Sequence, residues 1–295
     1  MIKDLSDRKF GIEIETNRSK SINCVTSLID AYFKSNNINY KVKKTNSSVK
    51  TEYNNAYWHV KRDNSCSDEN YNFGIEIASP PCNKDNLNEI SNLVDYLNNY
   101  LTVNENCGLH IHVDAMNLSK KDIGKIILRW IKIERFLFSM LPFHRRLNLF
   151  CKPYYNTTEY KVMKNNIVTT TPLNAYYIFN PWELAPHDKI LLRRRSLNFV
   201  NYFSEPEDKA SKKTLELRLP EGTLNSYEII NWIIFTLNFI DYSVNSNSVS
   251  NTKDVIQLDE FLRVVGLGGK ISKSLKETKK WVIYRLNKFN KDKLL

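Results

Sequence analysis

Several signals of common function classes are missing from this 295-residue chain. No apolar run approaches the roughly 20 residues that cross a bilayer. The longest, Trp232 to Ile240, is interrupted by Thr236 and Asn238, so no membrane association is expected. The opening MIKDLSDRKF has no apolar core and does not read as a signal peptide. Five cysteines (Cys24, Cys66, Cys82, Cys107 and Cys151) are odd in number and contain no CxxC pair. Neither a disulfide framework nor a zinc ribbon is expected, and a reducing cytoplasm is the expected compartment. There is no HExxH helix and no GxSxG elbow. Gly266-Leu267-Gly268-Gly269-Lys270 lacks the spacing of a phosphate loop and reads as a helix–helix turn.

Histidine is also scarce, with five in the chain. Two of them sit at i and i+2 in Cys107-Gly108-Leu109-His110-Ile111-His112-Val113-Asp114. In a strand, alternate side chains share a face, so both imidazoles point the same way. Three more strand-like runs place polar groups on apolar backgrounds. Gly11-Ile12-Glu13-Ile14-Glu15 carries two carboxylates and Gly74-Ile75-Glu76-Ile77 one, while Leu215-Glu216-Leu217-Arg218-Leu219 pairs a carboxylate with a guanidinium. Each run has a plain structural reading: the wet face of an edge strand, a satisfied core histidine, a structural ion pair. Together they suit a metal and phosphate site. Hard ions such as Mg²⁺ or Mn²⁺ favour carboxylate oxygens, and arginine grips phosphate through two parallel hydrogen bonds. Cys107 reads as a small buried residue rather than a nucleophile.

The composition, 42% hydrophobic and 12% aromatic, supports a packed core. Strands are predicted at 8–16, 38–43, 57–61, 72–78, 107–114, 197–203 and 213–219. Helices are predicted at 21–35, 84–101, 119–141, 226–242, 254–265 and 272–289. Residues 44–55 and the acidic stretch 205–208 read as loops, 143–188 as irregular cover over a site, and 243–252 as a linker. Strands and helices do not alternate regularly, which points to α+β rather than a doubly wound fold. The net charge of +11 is concentrated at the end: residues 270–295 hold nine Lys/Arg against two Asp/Glu. A solvated helix face explains this tail, and a nucleic-acid partner is the alternative.

Phe10–Glu15, Lys61-Arg62-Asp63-Asn64-Ser65, Gly74–Pro80, Cys107–Asp114, Arg195-Ser196-Leu197-Asn198, and Glu216-Leu217-Arg218 with Glu221-Gly222-Thr223 occur in an order that resembles the amidoligase family. That family is similar to glutamine synthetase and glutamate–cysteine ligase in its catalytic core. The resemblance covers about residues 8–243, which sets a catalytic domain at 1–245 and a basic helical extension at 246–295. It implies a curved, mostly antiparallel sheet with helices on its convex side, holding ATP and Mg²⁺ (or Mn²⁺) on its concave face. Glu13, His110 and Glu216 would share one metal, with Glu15 and Glu76 on a second. His112 would approach the nucleotide, Arg195 and Asn198 would flank it, and Arg218 would contact the transferred phosphoryl group. Asp63 would serve substrate or amine binding, and Glu76 would sit with it and Arg218 in the catalytic set.

The implied reaction joins an acid and an amine at the expense of ATP. A peptide, an amino acid, a cell-wall component or a modified nucleobase could be a substrate. The residues alone leave two alternatives open: a metal-dependent hydrolase or nuclease, and a binding protein on a retired ligase fold. Oligomeric state is not legible.

Overall fold

The computed structural model describes residues 4–17, 20–45, 56–66, 73–155, 157–165, 171–179, 192–203, 213–247, 249 and 253–289. Seven strands are β1 (Phe10–Thr16), β2 (Lys41–Thr45), β3 (Tyr57–Asp63), β4 (Gly74–Ala78), β5 (Leu109–Asp114), β6 (Leu197–Asn198) and β7 (Thr214–Leu217). They form one open sheet of order β2-β3-β4-β1-β5-β7-β6. Only the β2–β3 pair is parallel. The expected α+β, mostly antiparallel architecture is present.

Strict alternation gives the sheet two unlike faces. Ile12, Ile14, Ile75, Ile77, Ile111 and Leu217 point to one side and are buried. Each such side chain contributes about 1.5–3 kcal/mol when taken out of water. A slip of one residue would exchange the faces, so apolar burial fixes the register and, with it, the position of every polar side chain on the other side.

The helices are α1 (Ile22–Ser35), α2 (Leu87–Leu97), α3 (Lys120–Phe138), α4 (Phe143–Arg146), α5 (Thr158–Asn165), α6 (Pro172–Ile178), α7 (Val200–Phe203), α8 (Ser226–Asn245), α9 (Leu258–Val264) and α10 (Lys273–Phe289). Side-chain caps start several of them: Ser21 accepts from Cys24 N, Ser119 from Asp122 N, and Asn225 from Glu228 N. α1 packs on β2 and β3, and α8 meets β5 while touching α2, α3 and α10. α8 is buried around most of its circumference, as a helix at the centre of several layers must be. The donors of its polar interruptions find partners: Thr236 donates to the Trp232 carbonyl and Asn238 Nδ2 to the Val265 carbonyl, both at 2.7 Å, while Asn238 Oδ1 is buried without a hydrogen bond. Among the described residues no helix is long and apolar enough to cross a membrane. All five cysteines are free.

Four expectations change. The strand expected at 197–203 is only Leu197–Asn198; Asn198 Oδ1 accepts from Val200 N at 2.8 Å, turning the chain into α7. The strand expected at 38–43 begins at Lys41, because Asn37 is left-handed (φ 55°) and Ile38 N donates back to Phe33 O, closing α1. Residues 143–188 contain α4, α5 and α6, with 156, 166–170 and 180–188 outside the described residues. α8 extends to Asn245, into the expected linker. Most of the 44–55 loop, the 205–208 loop and part of the 243–252 linker also lie outside the described residues.

α10 packs on α8 through an edge-to-face Trp232–Trp281 contact. Arg285, 1% exposed, pairs there with Glu221 (2.7 Å) and Glu228 (2.6 Å).

Candidate active site

The polar face of the sheet gathers residues that are far apart in sequence. In β1–β4–β3 register, Glu15 lies opposite Glu76, and Glu76 opposite Lys61. One step along, Glu13 lies opposite His110. In β5–β7–β6, His112 lies opposite Glu216, and Glu216 opposite Asn198. Directly paired residues share a face, so one surface carries four carboxylates and two imidazoles.

The contacts are close. His110 Nδ1 lies 3.2 Å from Glu13 Oε2 and 3.9 Å from Glu216 Oε1, while its Nε2 lies 3.5 Å from Glu15 Oε1. His112 Nε2 is 3.2 Å from Glu13 Oε1. Lys61 Nζ is 2.8 Å from Glu76 Oε1. Glu216 is held from both sides: Asn198 Nδ2 donates to it at 2.7 Å, and Arg218 forms an ion pair with it. Arg218 also donates through Nε to the Phe150 carbonyl (3.1 Å), and its backbone N–H donates to Ser196 O (2.9 Å). Ser196 in turn is hydrogen-bonded to the buried Glu134 of α3.

Burial and charge divide the carboxylates. Burial would raise Glu216, but Arg218 and then the two histidines hold it down at about 2. Burial likewise opposes ionisation of Glu13, and His112 with hydrogen bonds to both imidazoles outweighs it, leaving the group well below the ordinary range. Glu76 goes the other way: burial and the Glu13 charge push it well above the ordinary value, against Lys61. Glu15 is raised by burial despite His110.

The sequence profile of a family described as "putative amidoligase enzyme" matches residues 6–240. The chain belongs to this amidoligase family. No curated protein matches the sequence. Membership makes the chain an enzyme of the ligase kind, and the matched span contains every carboxylate, histidine and arginine of the polar sheet face.

The amidoligase face fits a divalent cation. One ligand atom each from Glu13, His112 and Glu216 lie within 4.8 Å of one another. Octahedral Mg²⁺ takes ligands at about 2.1 Å, so opposed ligand atoms sit roughly 4.2 Å apart. Four carboxylates face three cationic side chains, Lys61, Arg218 and, at one end, Arg145, so the surface has room for further positive charge. The trio contains His112, where the sequence reading grouped His110 with Glu13 and Glu216; His110 lies between Glu13, Glu15 and Glu216.

Other expected site residues are more dispersed. Asp63 ends β3 and accepts from Ser65 N and Oγ at 2.7 Å each; its charge reaches Glu15 and Glu76. Asn198 contacts Glu216, as a support of that carboxylate. Arg195 donates to the Pro153 carbonyl at 2.8 Å and packs over the Tyr154 ring instead of joining the carboxylates.

Sequence reasoning missed Arg145. It is 1% exposed and donates to the Arg218 carbonyl (2.6 Å) and the Leu219 carbonyl (3.3 Å). A Cβ on Gly108 would fall 2.7 Å from Arg145 Nη2 and 3.2 Å from His110 Nε2. Gly108 is two residues before His110, and its N–H donates to Glu15 Oε2 at 2.6 Å. The absent side chain is what lets α4 bring a cation against this end of the face. A glycine at the head of the histidine strand was the available signal.

One cleft reaches the cluster, and a second is lined by residues that bond to Asp63 and Arg218. The first, of about 850 Å³, runs along Arg8 to Glu13, His112, Met116 and Thr214. The other, of about 290 Å³, lies between Ser65, Asn106 and the segment 144–150.

Proposed function

We propose that this amidoligase is an ATP-dependent carboxylate–amine ligase working through an acyl phosphate. The observation that carries the reading is the joint placement of the Glu13–His112–Glu216 trio and Arg218 on one sheet face. Carboxylates resist amines because oxide is a poor leaving group. Transfer of the ATP γ-phosphoryl group to a carboxylate oxygen gives ADP and an acyl phosphate. The amine nitrogen then forms a bond to the acyl carbon, the C–O bond to phosphate breaks, and the amine gives up a proton.

Each residue has a part in that sequence. Bound divalent metal ions would neutralise phosphate charge and draw acid and nucleotide together. Glu13, His112 and Glu216, with His110, are suited to hold one ion, and Glu15 and Glu76 a second. The depressed Glu13 and Glu216 remain ionised across the physiological range, as ligands must. Arg218, fixed by Glu216 and the Phe150 carbonyl, is aimed to stabilise charge on the phosphoryl oxygens. Asp63 or Glu76 would accept the amine's proton. The larger cleft, which reaches Glu13 and His112, suits the nucleotide.

The test is calorimetric titration of a non-hydrolysable ATP analogue with Mg²⁺ into the wild type and Glu13→Ala/Glu15→Ala. Mg²⁺-dependent binding lost in the double variant supports the reading and leads to a screen of acid–amine pairs for ADP release. A folded wild type that binds no nucleotide, with or without candidate acids, refutes it.

A further inference from the structure

The smaller cleft has walls that lead to the reacting face. Ser65 donates to Asp63, and Asn106 sits two residues before Gly108, whose N–H holds Glu15. His144 precedes Arg145, and the Phe150 carbonyl binds Arg218. The cleft therefore adjoins the Asp63, Glu15 and Arg218 end, while the larger one adjoins Glu13 and His112. Two reactants entering from opposite sides would meet over the carboxylates.

Its lining is selective in two ways. Glu105 is its one carboxylate and His144 its one basic side chain, and no lysine or arginine lines it among the described residues. That balance favours a cationic ammonium over an anionic group. Leu147 and Leu149 line it as well and are 66% and 62% exposed, with Phe143 exposed one helical turn before Leu147. Single exposed leucines are ordinary, but two beside an acid in a cleft opening on a reacting face form an amphipathic receptor. Ammonia has no use for such a surface. The volume is at the lower limit of small-molecule pockets, about 300 Å³, so it takes one compact side chain.

We propose, resting on the ligase reading, that the amine substrate is a primary amine with a branched aliphatic side chain beside its amino group. Glu105 attracts the ammonium, and Leu147 and Leu149 cover the side chain. A free amino-acid amide and a peptide N-terminus share this chemistry.

The experiment uses the whole chain with Mg²⁺ and the non-hydrolysable ATP analogue. Leucinamide, glycinamide and the peptide Leu-Gly-Gly are titrated separately and followed by saturation-transfer NMR, with nucleotide binding measured in parallel by calorimetry. Leucinamide is expected to half-saturate at about one tenth the glycinamide concentration. Leu147→Ser/Leu149→Ser, both surface positions, should erase that preference and leave nucleotide binding intact; Glu105→Gln should weaken both amides. Leu-Gly-Gly binding as tightly as leucinamide assigns a peptide N-terminus, and weaker binding a free amide. Nucleotide binding with equal affinity for the two amides, or a preference that survives the double substitution, overturns this inference alone. Failure to bind nucleotide overturns the ligase reading and this inference with it.

Discussion

Glu76→Gln should stabilise the metal-free protein while removing the part of its magnesium response that comes from the second ion. Glu76 is buried opposite Glu15, and burial together with the Glu13 charge raises its carboxyl well above the ordinary value. A raised folded-state pKa means that the protonated form is the one the fold prefers. Its stabilising contribution is complete below the unfolded-state pKa and is lost as pH rises through the folded-state value. Glutamine, which cannot ionise, keeps that contribution at high pH. Relief of the buried charge is worth about 1–3 kcal/mol. The lost pair with Lys61, whose side chain is 25% exposed, offsets at most about 1 kcal/mol. The variant should therefore exceed the wild type by about 1–2 kcal/mol in urea unfolding with EDTA at about pH 8, and the gap should close toward about pH 5. Magnesium at 100 times its dissociation constant for the second site should add about 2.7 kcal/mol to the wild type through that site and much less to the variant, beyond the first-site increment that both share. A variant less stable than the wild type in EDTA at the higher pH, or one with the full magnesium increment, would refute the electrostatic reasoning.

Three other outcomes follow from the same geometry. Arg218→Lys loses the two-point hold on Glu216 and the Phe150 carbonyl; substrate-dependent ADP release should fall about 10²–10³-fold while calorimetric binding of the ATP analogue changes less than about tenfold. Gly108→Ala displaces the Arg145 guanidinium from two carbonyls and should cost about 2–4 kcal/mol, read from the urea midpoint; an unchanged midpoint would show that Arg145 yields freely. Because Glu15 and Glu76 hold protons more tightly than ordinary carboxylates, divalent-metal affinity measured by calorimetry should strengthen as pH rises from the acidic side, with protons released on binding; a flat profile would exclude both as ligands.

The sheet was legible because its message is local. Alternation in Gly11–Glu15 and Leu109–Val113 specifies which side chains leave the core, and burial of the isoleucines does the rest. The order of strands was not legible from alternation, since pairing Glu13 with His110 and His112 with Glu216 depends on long-range register. Arg145 escaped because its meaning lies in the approach of α4 to Gly108, a tertiary relation with no sequence period. The family resemblance set Arg195 beside the nucleotide, yet the strand beyond it lasts two residues and its guanidinium donates to Pro153 O. The 197–203 run was apolar enough for a strand, and one side-chain hydrogen bond at Asn198 redirected it.

The Arg285 contact carries a consequence for how the enzyme is made and lost. Glu221 follows β7 by a few residues, and Gly222 N is hydrogen-bonded to the Cys107 carbonyl at the head of the histidine strand. Its charge partner arrives 64 positions later in the chain. The ion pair on this loop can therefore form only once α10 has left the ribosome. A protease that nicks the chain ahead of Lys273 would remove no side chain from the sheet face, yet it would leave Glu221 and Glu228 without their shared cation. α10 thus acts as a keystone, tying down the loop beside the histidine strand while lending no side chain to the sheet face.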